Sequence, residues 1–443
     1  MHGQTKSEHW RRIQLKRIRK LIEENEKEIL NALGDDLEKP ETEAFFEIIG
    51  LLQELKVAED NLKNWMKPEK IKVPLSLMPG EAKVISEPLG SVLIIGAWNY
   101  PFLLTLQPLI CALAAGNTAV LKPSEFAPST SKLIEKLISK YFPNDIVIAL
   151  EGDGDFTQEL LDIKFDHIFF TGGTNIGAKI LAGASKNLTP VTLELGGKNP
   201  AIVLEGSDID VTARRLIWGK GLNSGQTCLA PNHVLVLEEI ACPLINSFKK
   251  QITDFYGDNP IESPNLAKLN IRQFEKTSNL LEKAFKKKQV IFGGAIDSKR
   301  SRISPTLISI DHFNDPILKD ELFGPLMPIK KIPNLDTAIT NIQSQSKPLA
   351  IYLFGGSSIE QETIVNKTSS GSICFNDVVL QAGIPELPFG GVGASGMGRY
   401  HGKSGFDTFS NKKSILKRPF WLDIKFRYPP YRIDISFLKK LLS

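Results

Sequence analysis

The stretch His167-Ile168-Phe169-Phe170-Thr171-Gly172-Gly173-Thr174-Asn175-Ile176-Gly177 decides the fold class of this 443-residue chain. An apolar run that ends at Phe170 enters a glycine-rich turn and then a segment with helical periodicity. The same alternation repeats on both sides of it. The strand-like runs are Ser91–Ile95, Thr118–Leu121, Ile146–Leu150, His167–Phe170 and Val191–Leu195, and the helical segments are Phe102–Ala115, Pro128–Tyr141, Asp155–Asp162 and Asn175–Ser185. Because strands that alternate with helices form parallel sheets covered by helices, the sequence predicts a doubly wound α/β domain.

The chain is long enough for a second domain, because a single core usually stops growing at roughly 250–300 residues. A second α/β pattern begins after Gly197. Its strand candidates are Ala201–Leu204, Val234–Leu237, Ile329–Ile332, Ala350–Leu353 and Ser372–Asn376. Upstream of both patterns, an amphipathic segment predicts one helix over Ser7–Leu33 that ends at Gly34. A second helix is predicted over Glu41–Met66, followed by Pro68.

Composition and charge exclude several classes of function. The net charge of +4 is too small to indicate nucleic acid binding. Four scattered cysteines and six scattered histidines form neither a disulfide framework nor a metal-ligand cluster, so we expect no metal. The first residues do not read as a signal peptide, and apolar runs such as Val92–Ala97 are far shorter than the about 20 residues of a membrane span. We therefore expect a cytoplasmic protein, in a reducing environment that suits a working thiol.

The segment from Lys412 to Trp421 and beyond is basic and aromatic. A docked arm or a solvated end is the simpler interpretation. Weak peripheral contact with a membrane surface is an alternative that this pattern leaves open.

A thiol and a carboxylate are the first candidates for chemistry. Cys228 lies in the small, polar segment Asn223–Pro231, where Gly225 permits the tight turn that presents a thiol to a cleft. Glu194 lies among apolar and glycine neighbours in Leu193–Lys198. A thiol with a carboxylate indicates covalent catalysis with an acid/base partner. The other cysteines are expected to be packing residues; we place Cys111 in a helix, Cys242 in a charged loop and Cys374 in a strand.

The glycine-rich turn and the end of the strand at Leu121 are candidates for binding a nucleotide. Glycines between a strand and a helix let backbone amides approach a phosphate, although Gly172-x-Thr174-x-x-Gly177 differs from the usual dinucleotide fingerprint. Lys122 and Glu125 follow the strand, where ribose hydroxyls or a phosphate bind in parallel α/β sheets. A plain turn and a solvated loop pair are the alternative interpretations.

Three further segments carry polar groups at predicted breaks. Asn99, after the first strand, offers two N–H donors that suit an oxyanion, although it is also a common turn residue. Glu321 and Phe323, before Gly324-Pro325, pair a carboxylate with an aromatic ring that suits a ribose and a flat base. The glycine-dense segment Leu387–Gly398 is either the lining of a substrate entrance or a simple crossing between elements.

Together these segments resemble the aldehyde dehydrogenase superfamily in wording, order and spacing, over essentially the whole chain. The Arg399–Lys403 segment and Thr189–Glu194 resemble its class 3 branch, which acts on fatty and aromatic aldehydes. The segments that carry the resemblance are Pro88–Gly90, Trp98–Phe102, Leu121–Glu125, Phe170–Gly177, Leu193–Lys198, Gly225–Cys228, Glu321–Pro325 and Pro388–Gly391.

The resemblance implies an architecture as well as an activity. It implies an NAD(P)-binding domain over 1–70 and 88–195 and a catalytic domain over 196–398, both doubly wound. Segments 71–87 and 399–443 would supply a small β oligomerisation element and a C-terminal arm, and the protein would be a homodimer.

The resemblance also assigns roles. It makes Cys228 the nucleophile and Glu194 the general base, with Asn99 and the Cys228 backbone N–H as the oxyanion hole. An aldehyde would be oxidised through a thiohemiacetal and a thioester, which water hydrolyses. The cofactor, NAD or NADP, would be bound by Trp98, Lys122, Glu125, Gly172, Gly173, Thr174, Gly177, Glu321 and Phe323.

Two other functions and two cofactors stay open at this point. A cysteine hydrolase without a cofactor would need a histidine beside the thiol, and His233 is close in sequence. A non-catalytic protein on the same fold is the second alternative. Glu125 would repel the 2′-phosphate of NADP, whereas Lys122 would attract it. Trp98, Tyr100 and Phe389 near the motifs favour a medium- or long-chain aliphatic or aromatic aldehyde.

Overall fold

The first α/β unit is built on a six-stranded sheet. The computed structural model describes residues 3–423, 425–431, 434–436 and 439. The strands of this sheet are β3 (Ser91–Ile95), β4 (Thr118–Lys122), β5 (Val147–Ala149), β6 (His167–Gly172), β7 (Val191–Leu195) and β17 (Gly396–Met397). Their spatial order is β17-β7-β6-β3-β4-β5, and all neighbours are parallel except β17. The chain starts in the middle at β3, moves outward to β5 and returns to β6, so the predicted doubly wound sheet is confirmed.

Helices connect these strands as the sequence pattern predicts. They are α4 (Leu103–Ala115), α5 (Pro128–Tyr141), α6 (Gly154–Asp162) and α7 (Thr174–Ser185). The strands are largely apolar because helices cover both faces of the sheet. The carboxyl ends of β3, β4, β6 and β7 therefore meet at one edge, where the candidate residues lie.

The three N-terminal helices pack against this sheet in a shared core. They are α1 (Glu8–Glu24), α2 (Glu26–Leu37) and α3 (Glu41–Trp65), so the prediction of a single helix over Ser7–Leu33 is wrong. The break falls at Asn25, whose side-chain amide donates to the Leu21 carbonyl at 2.7 Å and competes with the helical backbone. Gly34 lies inside α2 instead of ending it.

A seven-stranded sheet forms the second α/β unit. Its strands are β8 (Pro200–Val203), β9 (His233–Leu237), β10 (Val290–Phe292), β13 (Thr306–Ile310), β14 (Leu326–Ile332), β15 (Ala350–Phe354) and β16 (Ser372–Phe375). The order is β10-β13-β14-β9-β8-β15-β16, parallel except for β10. The sequence prediction omitted β10 and β13, two short runs that follow a lysine-rich helix end and a loop.

Five helices accompany the second sheet. They are α8 (Ile209–Gly221), α9 (Glu238–Tyr256), α10 (Ile271–Lys286), α11 (Leu335–Gln343) and α12 (Ser358–Lys367). The predicted charged loop around Cys242 is wrong: β9 leads directly into α9, and Cys242 is an exposed residue of that helix. Its acidic neighbours, Glu238 and Glu239, occupy the first turn, where they complement the helix dipole.

A three-stranded antiparallel sheet projects from the two units. It consists of β1 (Glu69–Ile71), β2 (Glu81–Pro88) and β18 (Ser410–Lys417), in the order β1-β2-β18. The helix α13 (Gly402–Thr408) precedes β18, and a small hairpin, β11 (Ile296–Asp297) with β12 (Arg302–Ile303), lies elsewhere. Lys412, where the basic tail was expected to begin, belongs to β18 and pairs with Ser86.

The predicted C-terminal arm is only partly described: residues 424, 432, 433, 437, 438 and 440–443 lie outside the described residues. In the part of the chain that the structure describes, no helix has the length and apolar character needed to cross a membrane. The predicted bounds of the three domains stay predictions.

Candidate active site

The loop that carries Cys228 has an unusual backbone. Between α8 and β9, Asn223, Ser224 and Gly225 all have positive φ, at 50°, 52° and 80°. A Cβ on Gly225 would lie 2.3 Å from the Gly324 carbonyl oxygen, so this position requires glycine for space as well as for its dihedral angles. Such strain persists only where surrounding contacts hold it. Here it turns the chain sharply enough to present Cys228, half-buried, to a cleft.

Asn199, which the sequence analysis did not single out, fixes the nucleophile loop. Its Nδ2 donates to the carbonyl of Cys228 at 2.7 Å and to that of Ala230 at 3.1 Å. Its Oδ1 accepts from the Ala350 N–H at 2.9 Å, which ties the loop to β15. The position was signalled by its place directly after Leu193–Lys198, within the same turn between β7 and β8.

Asn99 contacts the same loop from the first unit. Its Nδ2 donates to the Gln226 carbonyl at 3.0 Å, and its own carbonyl accepts from the Asn223 amide at 2.8 Å. An amide has two N–H donors, so one of them is left for the cleft that Asn99 lines. The structure therefore brings Asn99 and Cys228 to one cavity, although they lie on different α/β units.

Glu194 is a buried residue of β7 whose carboxylate faces the cleft. Neither of its oxygens has a hydrogen-bond partner among the described residues. Burial raises the pKa of Glu194 well above its usual range, and the nearby Arg399 guanidinium opposes this shift. When it is ionised, such a carboxylate is a stronger base than an exposed one, and its free oxygens leave it open to a substrate or a water.

Burial also raises the pKa of the Cys228 thiol to about 12, and the nearby Glu321 and Glu194 carboxylates contribute to the rise. The resting side chain is therefore a thiol, and the site must remove its proton when a substrate binds.

His233 does not supply that base. It lies at the start of β9, buried, and neither ring nitrogen has a hydrogen-bond partner among the described residues. Burial lowers its pKa to about 3, and it does not line the cleft. The structure therefore does not bring together the pair that a cysteine hydrolase would require.

The glycine-rich turn opens into the other half of the cleft. Gly173 precedes the first residue of α7, and a Cβ there would meet nothing within 4 Å, so the helix N-terminus is accessible. Gly172 and Thr174 line the cleft beside it. Gly177 has a different role: a Cβ there would lie 2.7 Å from Leu195 Cδ2, so this glycine permits close packing of α7 on β7. It does not line the cleft, and its predicted role in binding a cofactor stays a prediction.

The remaining candidates surround these two halves. Lys122 and Glu125 form a 2.6 Å ion pair at the end of β4. Trp98 and Phe323 pack edge to face, with ring centroids 5.6 Å apart. Glu321 accepts a hydrogen bond from the Gly197 N–H at 3.2 Å, and burial raises its pKa to about 7. All of these side chains line the same cavity of about 1150 Å³.

The aldehyde dehydrogenase family matches residues 4–415 of this chain. The chain belongs to this family. Aldehyde dehydrogenase family 3 member H1 of Arabidopsis thaliana is 44% identical over 445 residues, which covers 100% of this chain and 92% of the relative. The 4,4′-diaponeurosporen-aldehyde dehydrogenase of Staphylococcus aureus is 41% identical and covers 98% of this chain and 95% of that protein.

A solved structure agrees with these relatives. The substrate-bound state of Staphylococcus aureus AldH has a TM-score of 0.95 and 40% identity, and the match covers 100% of this chain and 96% of that one. The predicted aldehyde dehydrogenase fold and the resemblance to the class 3 branch are confirmed. This aldehyde dehydrogenase is an oxidoreductase that uses NAD or NADP to oxidise an aldehyde.

Proposed function

We propose that this aldehyde dehydrogenase converts medium- or long-chain aliphatic or aromatic aldehydes into carboxylic acids, with Cys228 as nucleophile and Glu194 as general base. One observation carries this proposal. Cys228, the free N–H of Asn99 and the unpaired carboxylate of Glu194 all face one cavity. These are the three groups that addition to a carbonyl and hydrolysis of a thioester require.

The cavity also fits the dinucleotide that the family requires. Its volume of about 1150 Å³ exceeds the roughly 300–1,000 Å³ of common ligand pockets, which leaves room for a cofactor and a substrate together. The open N-terminus of α7 at Gly173 would face the pyrophosphate. Lys122 and Glu125 would hold the adenosine ribose, and Glu321 with Phe323 the nicotinamide ribose. When bound, the dinucleotide accepts the hydride that leaves the substrate carbon.

In the first step, Cys228 Sγ forms a bond with the carbonyl carbon of the aldehyde while the thiol loses its proton. That proton passes through water in the cleft to solvent, so the Glu194 carboxylate stays available for the later hydrolysis. The electron pair of the carbonyl moves to its oxygen, where Asn99 Nδ2 and the Cys228 backbone N–H donate hydrogen bonds. A fixed donor of this kind contributes about 3 kcal/mol to the transition state.

After the hydride has left, the acyl group remains on Sγ as a thioester. Glu194 then takes a proton from a water molecule, whose oxygen bonds to the acyl carbon. The C–S bond breaks and its electron pair returns to Sγ. The product is a carboxylic acid, and the free carboxylate oxygens of Glu194 support hydrolysis over transfer to another thiol.

The lining of the cavity supports an apolar aldehyde. Trp98, Leu349, Phe389 and Tyr400 contribute apolar surface around Cys228. Charged side chains of the lining, including Lys122 and Glu125, lie at the sheet edge that we assign to the cofactor. A charged semialdehyde would lose its hydration without gaining an ion pair on the apolar side.

We also propose a homodimer. The strand β18 is the outer strand of the three-stranded sheet, and its side chains are largely exposed. An exposed edge strand is available for pairing with another chain, which native proteins usually cover. Light scattering of the purified protein tests this proposal, and a monomer at all concentrations would contradict it.

Formation of the reduced cofactor tests the activity and the nucleophile together. Hexanal, decanal and benzaldehyde are mixed in turn with NAD or NADP, using the parent, Cys228→Ala and Cys374→Ala. Cys374 is a suitable control because it is also half-exposed but lies in β16, outside the cavity lining. We expect turnover in the parent and in Cys374→Ala and none in Cys228→Ala. Turnover that survives in Cys228→Ala would refute the assignment of the nucleophile.

A further inference from the structure

Arg399 lies beside Glu194, and the sequence motifs gave it no role. The two side chains flank Gly390: a Cβ on this glycine would lie 3.0 Å from Arg399 Nη1 and 3.0 Å from Glu194 Oε1. The guanidinium nitrogen and the carboxylate oxygen are therefore no further apart than twice that distance. They are close enough to interact through the space that the missing side chain leaves.

The backbone holds Arg399 in this position. Its Nη1 donates to the Gly391 carbonyl at 2.9 Å, and its own carbonyl accepts a hydrogen bond from the Thr408 hydroxyl. The same glycine-rich segment pairs with β7 through β17, where Gly396 lies opposite Glu194. The guanidinium is thus fixed to the loop that covers the carboxylate.

Among the described residues, the other groups around Glu194 supply no positive charge. The Cys228 thiol and the Tyr400 hydroxyl are both near enough to feel the Glu194 charge, and burial keeps both neutral by raising their pKa. The Glu321 carboxylate accepts a hydrogen bond from the N–H of Gly197, which lies three residues after Glu194 in the chain. Glu321 is an acid and supplies no positive charge. Arg399 is the cation that contributes to the charge state of Glu194 in the described part of the chain.

We propose that Arg399 is a positioning residue for hydrolysis of the thioester, the counter-charge that favours the ionised form of the buried Glu194. This inference rests on the proposed function, in which Glu194 removes a proton from the attacking water. That water loses its proton to the Glu194 carboxylate, its oxygen bonds to the acyl carbon, and the C–S bond breaks. Only the ionised carboxylate can accept the proton, so the charge of Arg399 controls the fraction of enzyme that is competent.

An activated ester separates this step from hydride transfer. With p-nitrophenyl acetate and no cofactor, the initial burst of p-nitrophenol reports acylation of Cys228. The steady-state rate then reports hydrolysis of the acyl-enzyme, and its pH profile has an acidic limb that follows the base. The variants are Arg399→Gln and Arg399→Lys, with Lys403→Gln as a control of equal charge loss. Lys403 pairs with Asp407 on α13 and does not line the cavity.

An opposite charge within about 4–6 Å lowers a carboxyl pKa by about 1–3 units. We therefore expect Arg399→Gln to keep the burst. The acidic limb of its pH profile should move to higher pH by about one pH unit or more. Its steady-state rate below the limb should fall about tenfold. Arg399→Lys, which retains the charge, should keep the limb within about half a unit, and Lys403→Gln should match the parent.

Several outcomes would overturn the proposal. An unshifted limb in Arg399→Gln with an intact burst shows that the guanidinium does not act on the base. If Arg399→Gln does not fold, Arg399→Lys provides the test. An acidic limb of its pH profile that moves by a full pH unit, although the positive charge is retained, would contradict a role for that charge. A burst that survives in Cys228→Ala would instead refute Cys228 as the nucleophile, so the two failures are distinguishable.

Discussion

Removal of the Asn99 side chain isolates the proposed oxyanion donor. Its Nδ2 makes a 3.0 Å bond to the Gln226 carbonyl, and its second N–H is free for a substrate. In Asn99→Ala the backbone carbonyl, which accepts from Asn223, remains. Loss of an oxyanion donor costs about 2.7–4 kcal/mol, or a factor of about 10²–10³ in rate. Loss of the bond to Gln226 costs only about 1 kcal/mol of stability, so the variant should fold.

Rapid mixing of aldehyde and cofactor with Asn99→Ala measures the first turnover. We expect its rate to fall about 10²-fold or more, with little change in KM because the donor acts mainly on the transition state. Alkylation of Cys228 by iodoacetamide should proceed as in the parent. Asn117→Ala is the matched control, because Asn117 is buried and its Nδ2 donates to the Ala112 and Phe409 carbonyls away from the cleft. It should lower Tm without slowing the first turnover.

The reasoning about Asn99 fails if Asn99→Ala reacts at a rate within about threefold of the parent while Tm falls as expected. That combination would show that Asn99 only anchors the loop through Gln226.

Three further predictions concern carboxylates. Glu194→Gln should give a burst of acylation with steady-state turnover lower by about 10²–10⁴, measured by rapid quench; full turnover would exclude Glu194 as the base. Glu125→Gln should lower the KM for NADP relative to that for NAD by about tenfold, since it removes the charge that repels a 2′-phosphate; an unchanged ratio would contradict this. Burial raises the pKa of Glu54 from 4.5 to about 7. The contribution of Glu54 to the free energy of unfolding is therefore complete below pH 4.5 and is lost as the pH rises through about 7. Glu54→Gln should reduce the loss of unfolding free energy over this pH range by up to about 3 kcal/mol. The measurement is Tm as a function of pH, which should be flatter for Glu54→Gln than for the parent.

The first sheet could be predicted almost residue by residue because each buried parallel strand is a continuous apolar run. The five runs between 91 and 195 all correspond to strands, and their order along the chain implies the doubly wound sheet. The second sheet was harder. The edge strand β10 has only three residues, and no α-helix lies between β10, β13 and β14 along the chain, so the alternation of strands and helices that marks the first sheet is missing there. Periodicity is a local signal and does not report how these strands pair.

Motifs located the candidate side chains, and only the structure shows which of them meet. Cys228 was recognisable as a thiol in a small, glycine-bearing segment, and Asn99 as an amide after a strand end. Gly177 was assigned to the cofactor although the space that it leaves is filled by Leu195. Asn199 and Arg399 were not singled out, since each acts through contacts whose partners cannot be deduced from composition or spacing.

Charged residues of α3 show the same limit most clearly. In the sequence, Glu43 and Glu47 belong to an amphipathic helix and would be assigned to its solvated face. In the structure, Glu43 accepts a hydrogen bond from the Asn223 N–H at 2.7 Å, and Glu47 accepts from the Phe102 and Leu103 N–H groups at 3.1 and 3.0 Å.

These bonds give the N-terminal helices a part in the site. Glu43 holds the strained turn before Cys228, and Glu47, paired with the buried Lys39, holds the start of α4 directly after the Asn99 loop. One helix therefore sets the positions of the nucleophile loop and the oxyanion loop on two different sheets. Burial of a charged carboxylate is costly without such partners, so the same bonds that position the loops also stabilise Glu47 inside the protein. The geometry between Cys228 and Asn99 thus depends on a segment that contains neither residue.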